Sequence, residues 1–203
     1  MNTKMIKIGN KDISLRNKTY FIADIAANHD GSLSRAKKLI HLASKAGADA
    51  AKFQHFSAKT IVSDKGFKSL GKKSSHQKNW GKSVYEVYKD ASINLNWTKQ
   101  LKKTCDEAGI HFFSSPYSFE MVDHLEKFVP AYKIGSGDIN WLQIIEHISK
   151  KNKPVILASG AANFNDVVKA VNSIKKYNKK IVLMQCNTNY TASVKNFKYI
   201  NLN

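Results

Sequence analysis

Arginine is nearly absent from this 203-residue chain. Arg16 and Arg35 are the only two, although lysine and arginine together number 33 and the formal charge is +18. The positive charge is therefore lysine charge. Arginine supplies the planar fork that reads phosphates and base edges bidentately, so its scarcity argues against a nucleic-acid partner. The lysines also fall in pairs along helical patterns, as Lys37-Lys38, Lys102-Lys103 and Lys175-Lys176 do, which is how a solvated face looks. A lysine- and asparagine-rich, arginine-poor composition reads as the imprint of an AT-rich genome. The field it creates still favours small acidic ligands.

Cysteine is scarce too. Cys105 and Cys186 make neither a CxxC pair nor a disulfide framework, so reduced thiols and a cytoplasmic location are expected. No apolar run approaches the ~20 residues of a membrane span. Residues 1–10 lack the apolar core of a signal peptide. No membrane partner is expected. Low-complexity linkers are missing as well, and a chain of this length buries one sizeable core, so a single domain over residues 1–203 is expected.

What the chain does have is a repeated grammar. Tyr132-Lys133-Ile134-Gly135-Ser136-Gly137-Asp138 reads as a short buried strand running into a turn of glycines, a hydroxyl and a carboxylate. A lysine inside a strand is costly without an anionic partner. The glycines let backbone N–H groups approach an anion. Taken alone, this is equally a βα turn with a lysine snorkelling to the rim. It does not stand alone. Ala50-Ala51-Lys52-Phe53-Gln54-His55 is a second strand with a lysine in it. The runs at 21–26, 110–113, 155–158 and 181–184 also end in polar residues: Asn28-His29-Asp30, Ser114-Ser115, Ser159 and Gln185-Cys186-Asn187-Thr188. In a parallel α/β barrel such strand ends converge on one mouth, where ligands bind.

The order of elements follows from periodicity and caps. A hairpin turning at Gly9-Asn10 precedes strands at 20–26, 48–53, 110–114, 131–134, 154–158 and 180–186. Ser32, Asn96 and Ser118 read as helix caps, and Gly47 as a stop. Helices are predicted over 33–43, 84–90, 97–108, 118–128, 141–150 and 165–177. The polar segment 57–83 is too long for an ordinary βα connection and reads as a functional or mobile loop. Consecutive strand–helix units imply a parallel sheet with right-handed crossovers. An open doubly wound sheet would want a Gly-rich dinucleotide turn after the first strand, and Asn28-His29-Asp30-Gly31 is not one. The expected class is an α/β (β/α)8 TIM barrel, truncated after about six βα units, since a complete barrel typically needs ~250 residues.

At these strand ends the chain resembles the sialic acid (N-acetylneuraminate) synthase family, over essentially its whole length. The motifs carrying the resemblance are 22–31, 48–54, 114–117, 132–138, 153–160 and 185–190, in order. The resemblance implies an enzyme that condenses phosphoenolpyruvate with an N-acetylated hexosamine such as N-acetylmannosamine, giving a nonulosonic acid and phosphate. It implies that Lys52 and Lys133 bind the phosphate and carboxylate. Gln54, Ser115, Ser136, Ser159, Asn187 and Thr188 join them as substrate-binding residues, and Asp24 and Asp138 are the catalytic carboxylates. A trianionic ligand wants such fixed cations and hydroxyl donors. The family also implies a divalent metal, Mn²⁺ or Mg²⁺, a C-terminal antifreeze-like domain and a homodimer when full length.

This sequence departs from the family pattern in places. Asp24 stands where Glu is usual, Ala158 where a hydroxyl is usual, and Gln185 where His is usual. The family's metal-binding histidines belong to later strands and are absent from these 203 residues, as is the antifreeze-like domain. No metal ligand is therefore assigned within the chain, and it is expected to be inactive alone. His29 reads as a structural hydrogen bonder, and His55, His76 and His111 have no ligand spacing. A pseudaminic or legionaminic acid synthase fits the same motifs. A non-catalytic protein that binds a phosphate-bearing ligand, or an interaction protein, is the reading from another class.

Overall fold

The computed structural model describes residues 5–69, 80–160 and 162–186. The chain divides into two compact units, residues 21–128 and a second made of 1–20 with 129–203.

In the first unit, β3 (Ile22–Ala26), β4 (Ala50–His55) and β5 (His111–Pro116) form a parallel sheet in that order. Helix α1 (Leu33–Lys45) links β3 to β4. Ser32 caps it by accepting from the Arg35 N–H, and Ala36, Ile40 and Ala43 form its buried stripe. The helix ends on Gly47 at φ +85°, with the Ala48 N–H returning to the Ala43 carbonyl at 3.1 Å. This is the left-handed glycine termination that a side chain would strain. Helix α5 (Thr98–Glu107) repeats the device, with Gly109 at φ +72° and the Ile110 N–H on the Cys105 carbonyl. Two identical helix stops thus deliver the chain into β4 and β5. Leu101, Cys105, Phe112, Leu125 (of α6, Phe119–Leu125) and Phe53 are fully buried among these elements, with the Phe53 and Phe112 rings 5.8 Å apart.

The segment expected as a loop at 57–83 carries helices α2 (Ala58–Ile61) and α3 (Asp64–Ser69). Both are too short to show a periodic stripe, which is why polarity hid them. Residues 70–79, with His76, lie outside the described part. Helix α4 (Val84–Ala91) follows, with a full Ser83–Glu86 capping box. The start expected at Asn96 also differs. Asn94 caps a 3₁₀ turn at Leu95–Trp97, and the α-helix begins at Thr98.

In the second unit, β1 (Ile6–Ile8) and β2 (Lys11–Ile13) form an antiparallel hairpin. The strands β6 (Tyr132–Ile134), β7 (Val155–Ala158) and β8 (Ile181–Met184) form a second parallel sheet. Helices α7 (Leu142–Lys150) and α8 (Phe164–Lys175) connect them, and bury Ile144, Ile145, Ile148, Ala170 and Ile174. All six expected core strands are present and all are parallel-paired. The ladders make two three-stranded sheets, which establishes a parallel α/β protein but does not by itself draw a barrel wall. Among the described residues no helix is long and apolar enough to cross a membrane.

Candidate active site

Strand pairing decides which side chains share a face. In the first unit Asp24 is registered with Lys52, and Gln54 with Ser115. Successive side chains alternate faces and i, i+2 share one, so Asp24, Lys52, Gln54 and Ser115 stand on a single face of the sheet. Four residues expected at the site are thereby brought together. The Lys52 ammonium donates to the Asp24 carboxylate at 2.9 Å, the lysine being 8% exposed and the aspartate 61%. Gln54 donates its amide N–H to the Tyr117 hydroxyl at 3.0 Å. The Ser115 hydroxyl is buried and has no hydrogen-bond partner.

The opposite face of the same sheet is structural. His55 is fully buried and hydrogen-bonds Ser114 Oγ through Nδ1 at 2.7 Å and Thr98 Oγ1 through Nε2 at 2.9 Å. His124 reaches the same Thr98 hydroxyl at 2.9 Å. Burial, then the neighbouring His124 and His29, hold His55 down to about 3. It is a neutral core residue. His29 is fully buried, accepts from the Gly31 N–H at Nδ1 and packs edge-on to Trp97. Its Nε2 has no partner, and burial lowers its pKa against the pull of Asp30. Both histidines are enclosed within the fold.

In the second unit the expected residues also fall at strand ends. Lys133 lies in β6, half-buried, and its ammonium donates to the Ile134 carbonyl at 3.0 Å. Ser136 and Asp138 bound a 3₁₀ turn immediately after β6. Burial raises the Asp138 carboxyl above its ordinary value, with the Lys133 ammonium opposing. Ser159 follows β7, and its hydroxyl donates to the Met184 carbonyl at 3.0 Å. In this state that hydroxyl serves the sheet rather than pointing its proton at a ligand. Asn187 and Thr188 lie outside the described residues. Cys105 is buried, its thiol pushed up to about 12, and is inert.

The divalent metal implied by the resemblance can be tested against the side chains present. Among the described residues no group of three His, Cys, Asp or Glu is arranged to hold an ion. His55, the most deeply buried imidazole, has both nitrogens engaged by hydroxyls. The described residues do not fit a metal site.

Each unit is a parallel α/β layer with lysine, hydroxyl and carboxylate side chains at its strand ends, and comparison with known proteins narrows the class. The NeuB family model matches residues 39–203. The chain is 35% identical over 192 residues to the N,N′-diacetyllegionaminic acid synthase of Campylobacter jejuni, covering 91% of this chain and 55% of that protein. It is 33% identical to the pseudaminic acid synthase of the same species, covering 93% and 54%. The crystal structure of the N-acetylneuraminic acid synthetase of Leptospira borgpetersenii, in complex with citrate, superposes with a TM-score of 0.81 at 26% identity, covering 95% of this chain and 62% of that one. The chain spans about half the length of the curated relatives it matches. It belongs to the NeuB family.

Proposed function

We propose that this chain forms the first six βα units of a (β/α)8 barrel in a phosphoenolpyruvate-dependent nonulosonic acid synthase. The observation that carries the reading is the buried Lys52 at the end of β4, held by Asp24 on the same sheet face as the unpartnered Ser115 hydroxyl. A buried cation beside an unsatisfied hydroxyl is a site prepared for an anion. In the reaction, the methylene carbon of phosphoenolpyruvate bonds to the aldehyde carbon of an open-chain N-acetylated hexosamine. The aldehyde oxygen takes a proton, and one water is consumed as phosphate leaves.

Lys52 and Lys133 would neutralise phosphate and carboxylate, with Gln54, Ser115, Ser136, Ser159, Asn187 and Thr188 as hydrogen-bonding partners. Asp138, biased by burial toward its protonated form, would donate the proton. Asp24 would position Lys52 and meet the sugar. The phosphorylated substrate makes this a cytoplasmic reaction. The test is phosphate release from phosphoenolpyruvate by the full-length protein with N-acetylated hexoses and manganese. Release that depends on both substrates is expected; none with any N-acetylated hexose would refute the reading.

A further inference from the structure

On the face of the first sheet opposite Lys52, Ala51, Phe53 and Phe112 are apolar and fully buried. At the strand ends two polar residues, His55 and Ser114, take over and are just as deeply buried. Thr98, the first residue of α5, is fully buried beside them. The His55 ring lies between the two hydroxyls, with Nδ1 2.7 Å from Ser114 Oγ and Nε2 2.9 Å from Thr98 Oγ1. A neutral imidazole donates at one nitrogen and accepts at the other, so one hydroxyl donates to the ring and the other accepts from it. His124 of α6 shares the Thr98 hydroxyl at 2.9 Å, its ring stacked 6.0 Å from that of His55. Directed bonds thereby join β4, β5, α5 and α6.

Hydrophobic burial does not require this arrangement. Desolvating an imidazole and two hydroxyls has a cost that their hydrogen bonds then offset. Apolar side chains of like shape would pack the layers about as well. What a satisfied polar set adds is a fixed position for each member. Ser114 precedes Ser115 and His55 follows Gln54, and successive side chains alternate across a sheet. Holding His55 and Ser114 behind the sheet therefore holds Gln54 and Ser115 in front of it. The His55 carbonyl also accepts the Tyr117 N–H at 3.0 Å, and the Tyr117 hydroxyl accepts from the Gln54 amide at 3.0 Å. One residue thus reaches Ser115 through its side chain and Gln54 through its main chain.

We propose that His55 is a positioning residue: its bond to Ser114 sets where the neighbouring Ser115 hydroxyl stands beside Gln54 on the ligand face. It lies behind the sheet and acts through these groups rather than on the ligand. The inference rests on the synthase reading above, in which Gln54 and Ser115 bind phosphoenolpyruvate. Cutting the His55–Ser114 bond should cost at most one neutral hydrogen bond to that ligand, about threefold to tenfold in affinity.

The experiment is a double-mutant cycle in the full-length protein, read by titration with phosphoenolpyruvate in the absence of sugar. His55→Phe keeps a ring in place and removes both bonds. Ser114→Ala cuts the same cross-strand bond and takes its place if His55→Phe does not fold. Either should weaken binding about threefold to tenfold. In a Ser115→Ala background the same change should cost less than about twofold, because the group being positioned is gone. His55→Asn, whose amide can meet Ser114, should bind within about twofold of the unmodified protein. Equal losses with and without Ser115, unchanged affinity in His55→Phe, or no rescue by asparagine overturns the inference. Phosphate release with phosphoenolpyruvate and N-acetylated hexoses tests the synthase reading separately. If the unmodified protein does not bind phosphoenolpyruvate, that reading fails, and amide hydrogen exchange in His55→Phe decides the positioning role. Exchange that quickens at Gln54, Ser115 and Tyr117 but not at Ala50 and Phe112 supports it, and an even change sinks it.

Discussion

Lys52 and Asp24 meet at 2.9 Å with very unequal burial, the ammonium almost wholly enclosed and the carboxylate mostly in water. The pair is thus not a buried ion pair in the costly sense, because one partner keeps its hydration. Asp24 fixes the position of the lysine ammonium through this contact. Register places the two side by side on neighbouring strands, so the geometry follows from the ladder.

Removing either partner should have opposite signatures. Lys52→Met keeps the packed stem and frees a carboxylate that water already solvates, so stability should change by less than ~1 kcal/mol. Phosphoenolpyruvate binding should weaken by ~2–5 kcal/mol. Asp24→Asn strands the enclosed ammonium and should destabilise more, by ~1–3 kcal/mol. Urea denaturation of both variants checks the ranking; Lys52→Met proving the less stable would refute the assignment.

Asp138 carries a cost at neutral pH. Its folded pKa is raised above the ordinary 3.8 by burial, so the folded state favours the protonated form. Its contribution is most favourable below the ordinary value and is lost as pH rises through the raised one. Asp138→Asn removes that loss. The variant should melt at the same temperature or higher at pH 7, while synthase turnover falls ~10²–10⁴-fold. A clear drop in melting temperature would show that the carboxylate is structural instead.

Most of the architecture was legible because its signals are local. Ser32 and Ser118 each cap a helix start, Gly47 stops a helix, and the apolar runs expected at 20–26, 48–53, 131–134 and 154–158 each hold a strand. The lysines within β4 and β6 stand out for the same local reason. What the residues alone could not yield depends on register and on contacts distant in sequence. Thr98 sits between His55 and His124, 43 and 26 residues away, and nothing at any of the three positions announces it. The Trp80 and Tyr88 rings lie 6.4 Å apart, one from the segment that reads as polar loop and the other from the helix that follows it.

The buried histidines should govern acid stability. His55 is held at about 3, against 6.5 when unfolded, and burial lowers His29 and His124 in the same direction. The unfolded chain therefore binds protons first. Stability should be full above pH 6.5 and fall as pH drops from there toward 3, by ~1.4 kcal/mol per pH unit for each such proton. Carboxylates with lowered values, such as Glu86, enter only below about 4.5. Urea midpoints at pH 7.5, 6 and 5 separate the two. Unchanged midpoints between 7.5 and 5 would contradict the neutral buried imidazoles.

Ser115 offers the sharpest separation of folding from function. Its hydroxyl is buried on the same face as Lys52 and has no hydrogen-bond partner among the described residues. A buried hydroxyl without a hydrogen bond costs ~1–3 kcal/mol of desolvation. Ser115→Ala deletes that orphaned group and leaves a void of only one oxygen atom. The free protein should be as stable as before or more so. The ligand would lose one hydrogen bond, and affinity for phosphoenolpyruvate should fall by ~0.5–1.5 kcal/mol for a neutral partner or ~1.5–3 for a charged one. A structural serine behaves oppositely, losing stability and leaving binding unchanged. Melting temperature and a phosphoenolpyruvate titration on the same two proteins therefore decide between the roles.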